Sequence, residues 1–244
     1  MHEISREVLI CLPTVLGVDL SITNEVLLLW ISASAAFVLV TFGCRYKGMV
    51  PKGRFQNMFE AIIEFIETSV VKEGIGKDAK IWSPFLLSLF FFVLFSNFGS
   101  MVPLPSHSKA MTSNINVTGA LAFIVFALTL VINLRKHGII GFFRKFVPSG
   151  LPVPVALFAV PIEIISWLAR PFSLAIRLFA NMMAGHALIL VFLTMAGGAA
   201  WFLKVLPFTA AVIMSAFELF VCFVQAFIFT LLSGIYIKDA LESH

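Results

Sequence analysis

The sequence predicts an all-α membrane protein: five membrane-embedded helices plus an amphipathic surface helix, with the last two helices forming a long, strongly tilted antiparallel hairpin. Three observations carry this reading. The chain of 244 residues is 60% hydrophobic and only 12% charged, whereas soluble domains carry about 25% charged residues. Apolar runs of about 20 residues recur, the length of helix that crosses the hydrocarbon layer. The last two runs are far longer than one perpendicular crossing needs.

Composition also excludes function classes. The net charge of +4 is no sign of nucleic-acid binding, because the basic residues cluster beside apolar segments, as membrane topology requires. Cys11, Cys44 and Cys222 are far apart. With no CxxC or Cys/His cluster, neither a disulfide framework nor a metal site is expected. The first 24 residues lack a charged region followed by an apolar one, so no cleavable signal peptide is expected. No Gly-rich phosphate loop of the Walker type is present, so no nucleotide site of its own is expected, and no cofactor.

The chain reads as a single membrane domain, 1–244. Residues 1–24 form an external segment with a turn around Leu12-Pro13. The first span is 25–43, with Asn24 as a candidate cap and Cys44-Arg45-Tyr46-Lys47 directly after it. Residues 54–73 differ in kind. Phe55, Met58, Phe59, Ile62, Ile63, Ile66 and Val70 recur at helical spacing, and Glu60, Glu64 and Glu67 share the other side. This amphipathic helix is too charged to span and is expected to lie on the cytoplasmic surface. Gly74 and Gly76 end it.

The second span is 84–102, rich in phenylalanine, and ends at Pro103-Leu104-Pro105. The third is 113–134 and stops at Arg135-Lys136; a short basic interfacial piece, GIIGFFRKFVPSG, comes next. The fourth run, 154–196, would be about 60 Å long as one helix, twice the hydrocarbon thickness. It is either two helices broken near Pro161 or Pro171, or one helix lying strongly tilted. The last run is 207–241, reached through a turn at Gly197-Gly198-Ala199-Ala200-Trp201. Lys and Arg concentrate in 45–80 and 135–149. These segments should face the cytoplasm, which puts the N-terminus outside and the C-terminus inside.

The fourth run keeps costly groups. An ionisable residue at the bilayer centre costs about 2.5–3.5 kcal/mol or more, yet Glu163, Arg170, Arg177 and His186 all persist here. On a helical wheel Arg177 shares a face, within about 40°, with Glu163, Ser166, Arg170, Ser173 and Asn181. His186 is about 180° away. On the last helix Glu218, Cys222 and Gln225 share one face. In an antiparallel hairpin, residues at equal depth have a constant index sum. Arg177 and Gln225 sum to 402, and His186 and Glu218 to 404. Both pairs therefore face across in nearly one register, about the Gly-Gly-Ala-Ala-Trp turn. A His beside a Glu suits a proton relay. A Gln carbonyl beside an Arg solvates the cation without neutralising it.

Duller readings stand beside these. Arg170 can snorkel or pair within the bundle. Glu163 can pair with Lys238 or line a water-filled opening. Asn181, Ser166 and Ser173 can be helix–helix hydrogen-bond groups. His186 and Glu218 can be a structural pair. Arg177 is hardest to dismiss, since no acid lies within one turn of it on its own helix.

These residues resemble a known family. LARPFSLAIRLFANMMAGH is similar to the signature of subunit a of the rotary F-type ATP synthase membrane sector, and FELFVCFVQAFIFTLLSGIYI continues the likeness. The order of elements agrees over the whole chain. By position, Arg177 matches the family's essential arginine, Asn181 the Asn one turn later and Gln225 the Gln facing the arginine. Some bacterial members carry Glu where this chain has His186 and His where it has Glu218; the exchanged arrangement here resembles mitochondrial and related bacterial members. Glu163 and Ser166 match polar positions of the cytoplasm-facing half-channel.

The resemblance implies a non-catalytic stator subunit with two proton half-channels. Its partners would be a c-subunit ring bearing a membrane carboxylate, peripheral-stalk b subunits, the rest of the complex and the lipid bilayer, with no nucleic acid. The implied location is a bacterial cell inner membrane, or less readily an organellar one. A secondary transporter for a small anion, with Arg177 as ligand, is the alternative. Such folds often show internal repeats, and none is visible. A purely structural scaffold has no reason to match polar groups in depth.

Overall fold

A computed structural model describes residues 8–10, 21–44, 53–101, 114–146, 153–198 and 202–242. Near the start, β1 (Val8–Ile10) pairs antiparallel with β2 (Ile22–Thr23). All other secondary structure among the described residues is helical. Most of the expected external segment lies outside the described residues, as do 102–113 with their prolines and the 199–201 part of the expected turn. Cys11 lies outside them too.

The helices are α1 (Asn24–Cys44), α2 (Arg54–Ile66), the single turn α3 (Glu73–Ile75), α4 (Ala79–Met101), α5 (Ile115–Arg144), α6 (Val153–Gly198) and α7 (Val205–Leu241). Four of them, α4 to α7, are long and apolar enough to cross a membrane. With little water in the hydrocarbon, side-chain hydroxyls gain from partners inside their own helix, and those of α7 illustrate it. Thr230 donates to the Ala226 carbonyl at 2.9 Å and Ser233 to the Phe229 carbonyl at 2.8 Å.

Segment 54–78 departs from a simple surface helix. After α2 the chain takes a wider π-helical turn, Glu67–Lys72, then α3 and a 3-10 turn, Gly76–Asp78. A π turn holds an extra residue and rotates the residues beyond it about the helix axis. Here it lets the consecutive Val70 and Val71 both be buried. The apolar face expected on a membrane surface is largely covered by protein: Phe59, Ile66, Val70, Val71 and Ile75 belong to the main core with Leu86, Phe90 and Phe91 of α4 and Phe229 and Ile237 of α7. Met58 and Phe65 remain exposed. The glutamate stripe is not wholly solvated either. Glu67 accepts from the Ser83 hydroxyl at 2.9 Å and Glu60 from the Gln56 amide at 2.8 Å.

Helix α5 opens on Asn114, whose side chain accepts from the Asn116 amide at 3.0 Å, a standard N-cap. It turns sharply at Gly138, where φ is 67°. That left-handed value is open to glycine and strained for other residues. Beyond it the basic piece continues as helix and folds back, so that Phe142 and Phe146 lie against Trp167 of α6, with ring centroids 5.4 and 5.9 Å away. Phe126, before the turn, approaches the same indole at 4.5 Å.

Helix α6 is one continuous element of 46 residues, and Pro161 and Pro171 lie inside it without ending it. Of the two possibilities for this run, a break at a proline or a single long helix, the second is the one observed. At 1.5 Å per residue it is about 70 Å long. It is also the least buried of the four apolar helices, with 11% of its apolar window covered. Its inward residues are Leu174, Ala175, Leu178 and Met182.

Candidate functional site

Much of the polar stripe of α6 faces away from the rest of the chain. Glu163, Ser166, Ser173 and Arg177 are exposed, and Arg170 and Asn181 are half-buried. The helix has turned its apolar Leu174, Leu178 and Met182 inward and kept Glu163 and Arg177 on the outside. In water that arrangement would be ordinary. On a helix long and apolar enough to cross a membrane, it leaves an open guanidinium on the outer face, and such a charge is costly in lipid.

Arg177 makes no hydrogen bond or ion pair among the described residues. Gln225, expected beside it, is 5% exposed on α7, and its amide nitrogen has no hydrogen-bond partner. No hydrogen bond joins the two. A matched index sum implies equal depth but not facing: Arg177 points outward while Gln225 is buried against the other helices.

The second expected pair does come together. His186 Nε2 is 4.0 Å from Glu218 Oε1. That is too long for a hydrogen bond and short enough for a single intervening group to touch both. His186 is 35% exposed and Glu218 only 4%. Neither carboxylate oxygen of Glu218 has a partner. The close approach depends on Gly185, since a Cβ there would overlap the Glu218 carboxyl.

Around Glu218 the seam between α4, α6 and α7 is unusual. Asn97 of α4 donates to the Cys222 carbonyl at 3.3 Å, while its own carbonyl oxygen is buried and unpartnered; the neighbouring Ser96 hydroxyl on α4 is buried without a partner too. The Cys222 thiol lies 3.7 Å from Met182 sulfur and 3.8 Å from Met101 sulfur. Buried polar atoms without partners are scarce in folded proteins, and here several share one seam. Asn97 and Ser96 escape a reading of the sequence because serine and asparagine in an apolar helix look like ordinary helix–helix contacts.

A second cluster is equally hidden in the sequence. Arg170 donates to Asp239 Oδ2 at 2.5 Å and stands over the Tyr236 ring, 5.4 Å from its centroid. Lys145 Nζ is 3.9 Å from Asp239 Oδ1, donates to the Asp239 carbonyl, and reaches Asn133 Oδ1 at 3.4 Å. Burial lowers the Lys145 pKa, and Asp239 opposes that shift. Lys136 donates to the Leu241 carbonyl. Two lysines thus cap the C-terminal carbonyls of α7, where cations are favoured. Of the readings open for Arg170, bundle pairing is the one seen. Glu163 does not pair with Lys238; Lys238 instead lies 3.9 Å from Glu242, one turn along its own helix. Asp239 sits just beyond the reach of the register argument, at an index sum of 409 with Arg170.

Among the described residues no group of three His, Cys, Asp or Glu is placed to hold a metal ion.

Comparison with known proteins gives one consistent answer. The family model described as ATP synthase A chain matches residues 26–238. A protein of Paramagnetospirillum magneticum named ATP synthase subunit a is 37% identical over 231 residues, covering 93% of this chain and 92% of its own length. Its namesake in Granulibacter bethesdensis is 40% identical over 234 residues, covering 93% and 90%. That of Rhodospirillum rubrum is 37% identical over 236 residues, covering 94% and 93%.

Proposed function

This chain belongs to the ATP synthase A chain family, and we propose that it is the stator subunit that couples proton flow to rotation of a c-subunit ring, with Arg177 as the charge that meets the ring. The observation that carries this is the pose of Arg177: an exposed guanidinium on the least buried membrane helix, with no partner among the described residues. A group so placed is complementary to a carboxylate on another protein.

The membrane arrangement in this reading has α1 as a fifth embedded helix beside α4 to α7. α6 and α7 run antiparallel as a hairpin. At about 70 Å, α6 must tilt strongly to stay within a layer of about 30 Å. The N-terminus is outside and the C-terminus cytoplasmic, in a bacterial inner membrane. Peripheral-stalk b subunits and the rest of the complex complete the assembly.

Protons enter from outside along the seam that holds His186 and Glu218. The unpartnered atoms of Glu218, Asn97 and Gln225 support this reading, because such atoms need water and water conducts protons. They then reach a carboxylate on the ring. After rotation they leave toward the cytoplasm past Glu163 and Ser166, which are exposed on the same stripe, with Asn181 one turn from Arg177. Arg177 stays charged at any physiological pH. It draws the deprotonated carboxylate, favours proton loss, and bars direct passage between the two paths. Because Arg177 has no acid of its own, the attraction can be transient, which rotation requires. Gln225 lies at matching depth, and its buried amide nitrogen has no fixed partner. Family membership sets the anion-transporter alternative aside.

The test is Arg177→Ala in the complete complex. Assembly with loss of ATP-driven proton pumping is expected; normal coupled pumping would sink the reading.

A further inference from the structure

We propose that Asp239 masks Arg170, so that Arg177 alone acts as the free cation of the α6 stripe. The inference rests on the stator reading of Arg177. The stripe holds two guanidinium groups seven residues apart, which is about 10 Å along the helix. Both are permanent cations by chemistry. Nothing in their residue type distinguishes them, so any difference between them must come from their surroundings.

The surroundings differ sharply. Arg170 has a carboxylate oxygen at 2.5 Å and an aromatic face at 5.4 Å. Arg177 has neither. Tyr236 lies within electrostatic reach of both, so the two charges belong to one local field. The Arg170–Asp239 pair is not a buried core feature: their side chains are 29% and 34% exposed. It sits at the edge of the surface that a passing carboxylate would meet. An unmasked Arg170 would offer that carboxylate a second permanent partner two turns from the first. A carboxylate held there would be withdrawn from the rotation cycle.

The cluster is asymmetric, and this makes the inference testable. Asp239 has a second cation, Lys145, at 3.9 Å. Removing the charge of Arg170 therefore leaves the acid compensated. Removing the charge of Asp239 leaves Arg170 with no carboxylate partner. A clamp that merely ties α6 to α7 is broken by either loss, and losing both partners restores nothing. A mask fails only when the acid goes and the cation stays. Asp239 is in this sense a positioning residue, acting on the ring through Arg170.

The experiment measures ATP-driven proton pumping, with subunit content quantified, in inverted membrane vesicles holding the complete complex. The variants are Asp239→Asn, Asp239→Glu, Arg170→Gln, and Arg170→Gln with Asp239→Asn. Asp239→Asn should lower pumping about fivefold or more, as loss of a partly exposed ion pair allows. Asp239→Glu and Arg170→Gln should each stay within about twofold of the parent, and the double variant should return to the level of Arg170→Gln. Unchanged pumping in Asp239→Asn overturns the proposal. So does a double variant no better than Asp239→Asn in pumping or in subunit content, which would reveal a simple clamp. Arg177→Ala is run alongside. Retained pumping there overturns the stator reading of Arg177, whereas rescue by the double variant reports on Arg170 and Asp239 alone.

Discussion

The Glu218 carboxyl occupies the space that a side chain at Gly185 would fill, and it lies 4.0 Å from the imidazole of His186. The carboxyl is almost fully covered, yet neither oxygen is hydrogen-bonded. A buried carboxyl with no fixed partner is poorly designed for stability and well designed to exchange a proton with something that comes and goes.

Gly185→Ala is expected to push the Glu218 side chain out of its place. The complex should assemble, because only one methyl is added at a helix surface. Proton pumping should fall well below that of the parent. Measuring passive proton conductance of membranes stripped of the catalytic sector checks this directly; parental conductance would show that the Glu218 position is immaterial.

Glu218→Gln keeps shape and removes the titrating group. If Glu218 passes protons, flux should drop by about a hundredfold or more, the low end of what a positioned proton-transfer group contributes. If it is only structural, the amide should restore hydrogen bonding and leave flux near normal. The same flux assay separates the two outcomes.

Arg177→Lys should fail to replace the parent residue. A lysine can lose its proton when desolvated, and it lacks the planar fork that pairs with a carboxylate. ATP-driven pumping near zero with normal assembly is expected. Robust pumping would mean that a simple positive charge is enough.

Gly138→Ala forces an L-residue into a left-handed conformation, at a cost of roughly 1–2 kcal/mol. The turn it supports brings Phe142 and Phe146 to Trp167 and Lys145 to Asp239. A lower thermal midpoint of the detergent-solubilised complex is expected, and an unchanged midpoint would show that the fold-back is dispensable.

Much of the architecture is legible in the sequence because the bilayer is a severe solvent. Long apolar runs have to be helices, and the positions of α4 to α7 come from that alone. The polar stripe of α6 is legible for the same reason: each charge there costs enough to stand out. The exceptions have local causes. Periodicity reports the apolar face of α2 without reporting what covers it, and much of that face packs on α4 and α7. Charge and depth match Glu163 to Lys238, but the C-terminal turn of α7 pairs Lys238 with Glu242 instead.

By itself, the sequence determined the helices, their polar faces and the depth at which His186 meets Glu218. These are consequences of helical period and of the cost of charge in lipid, both local to one or two elements. Only the tertiary structure decided which arginine is paired and which is open. It also decided that Gln225 is buried while Arg177 is exposed, and that Asn97 reaches the α7 backbone at Cys222, one turn from Glu218. Such facts depend on how each helix is rotated against its neighbours. That rotation is fixed by close packing of many side chains together, and no single helix carries it in its own pattern.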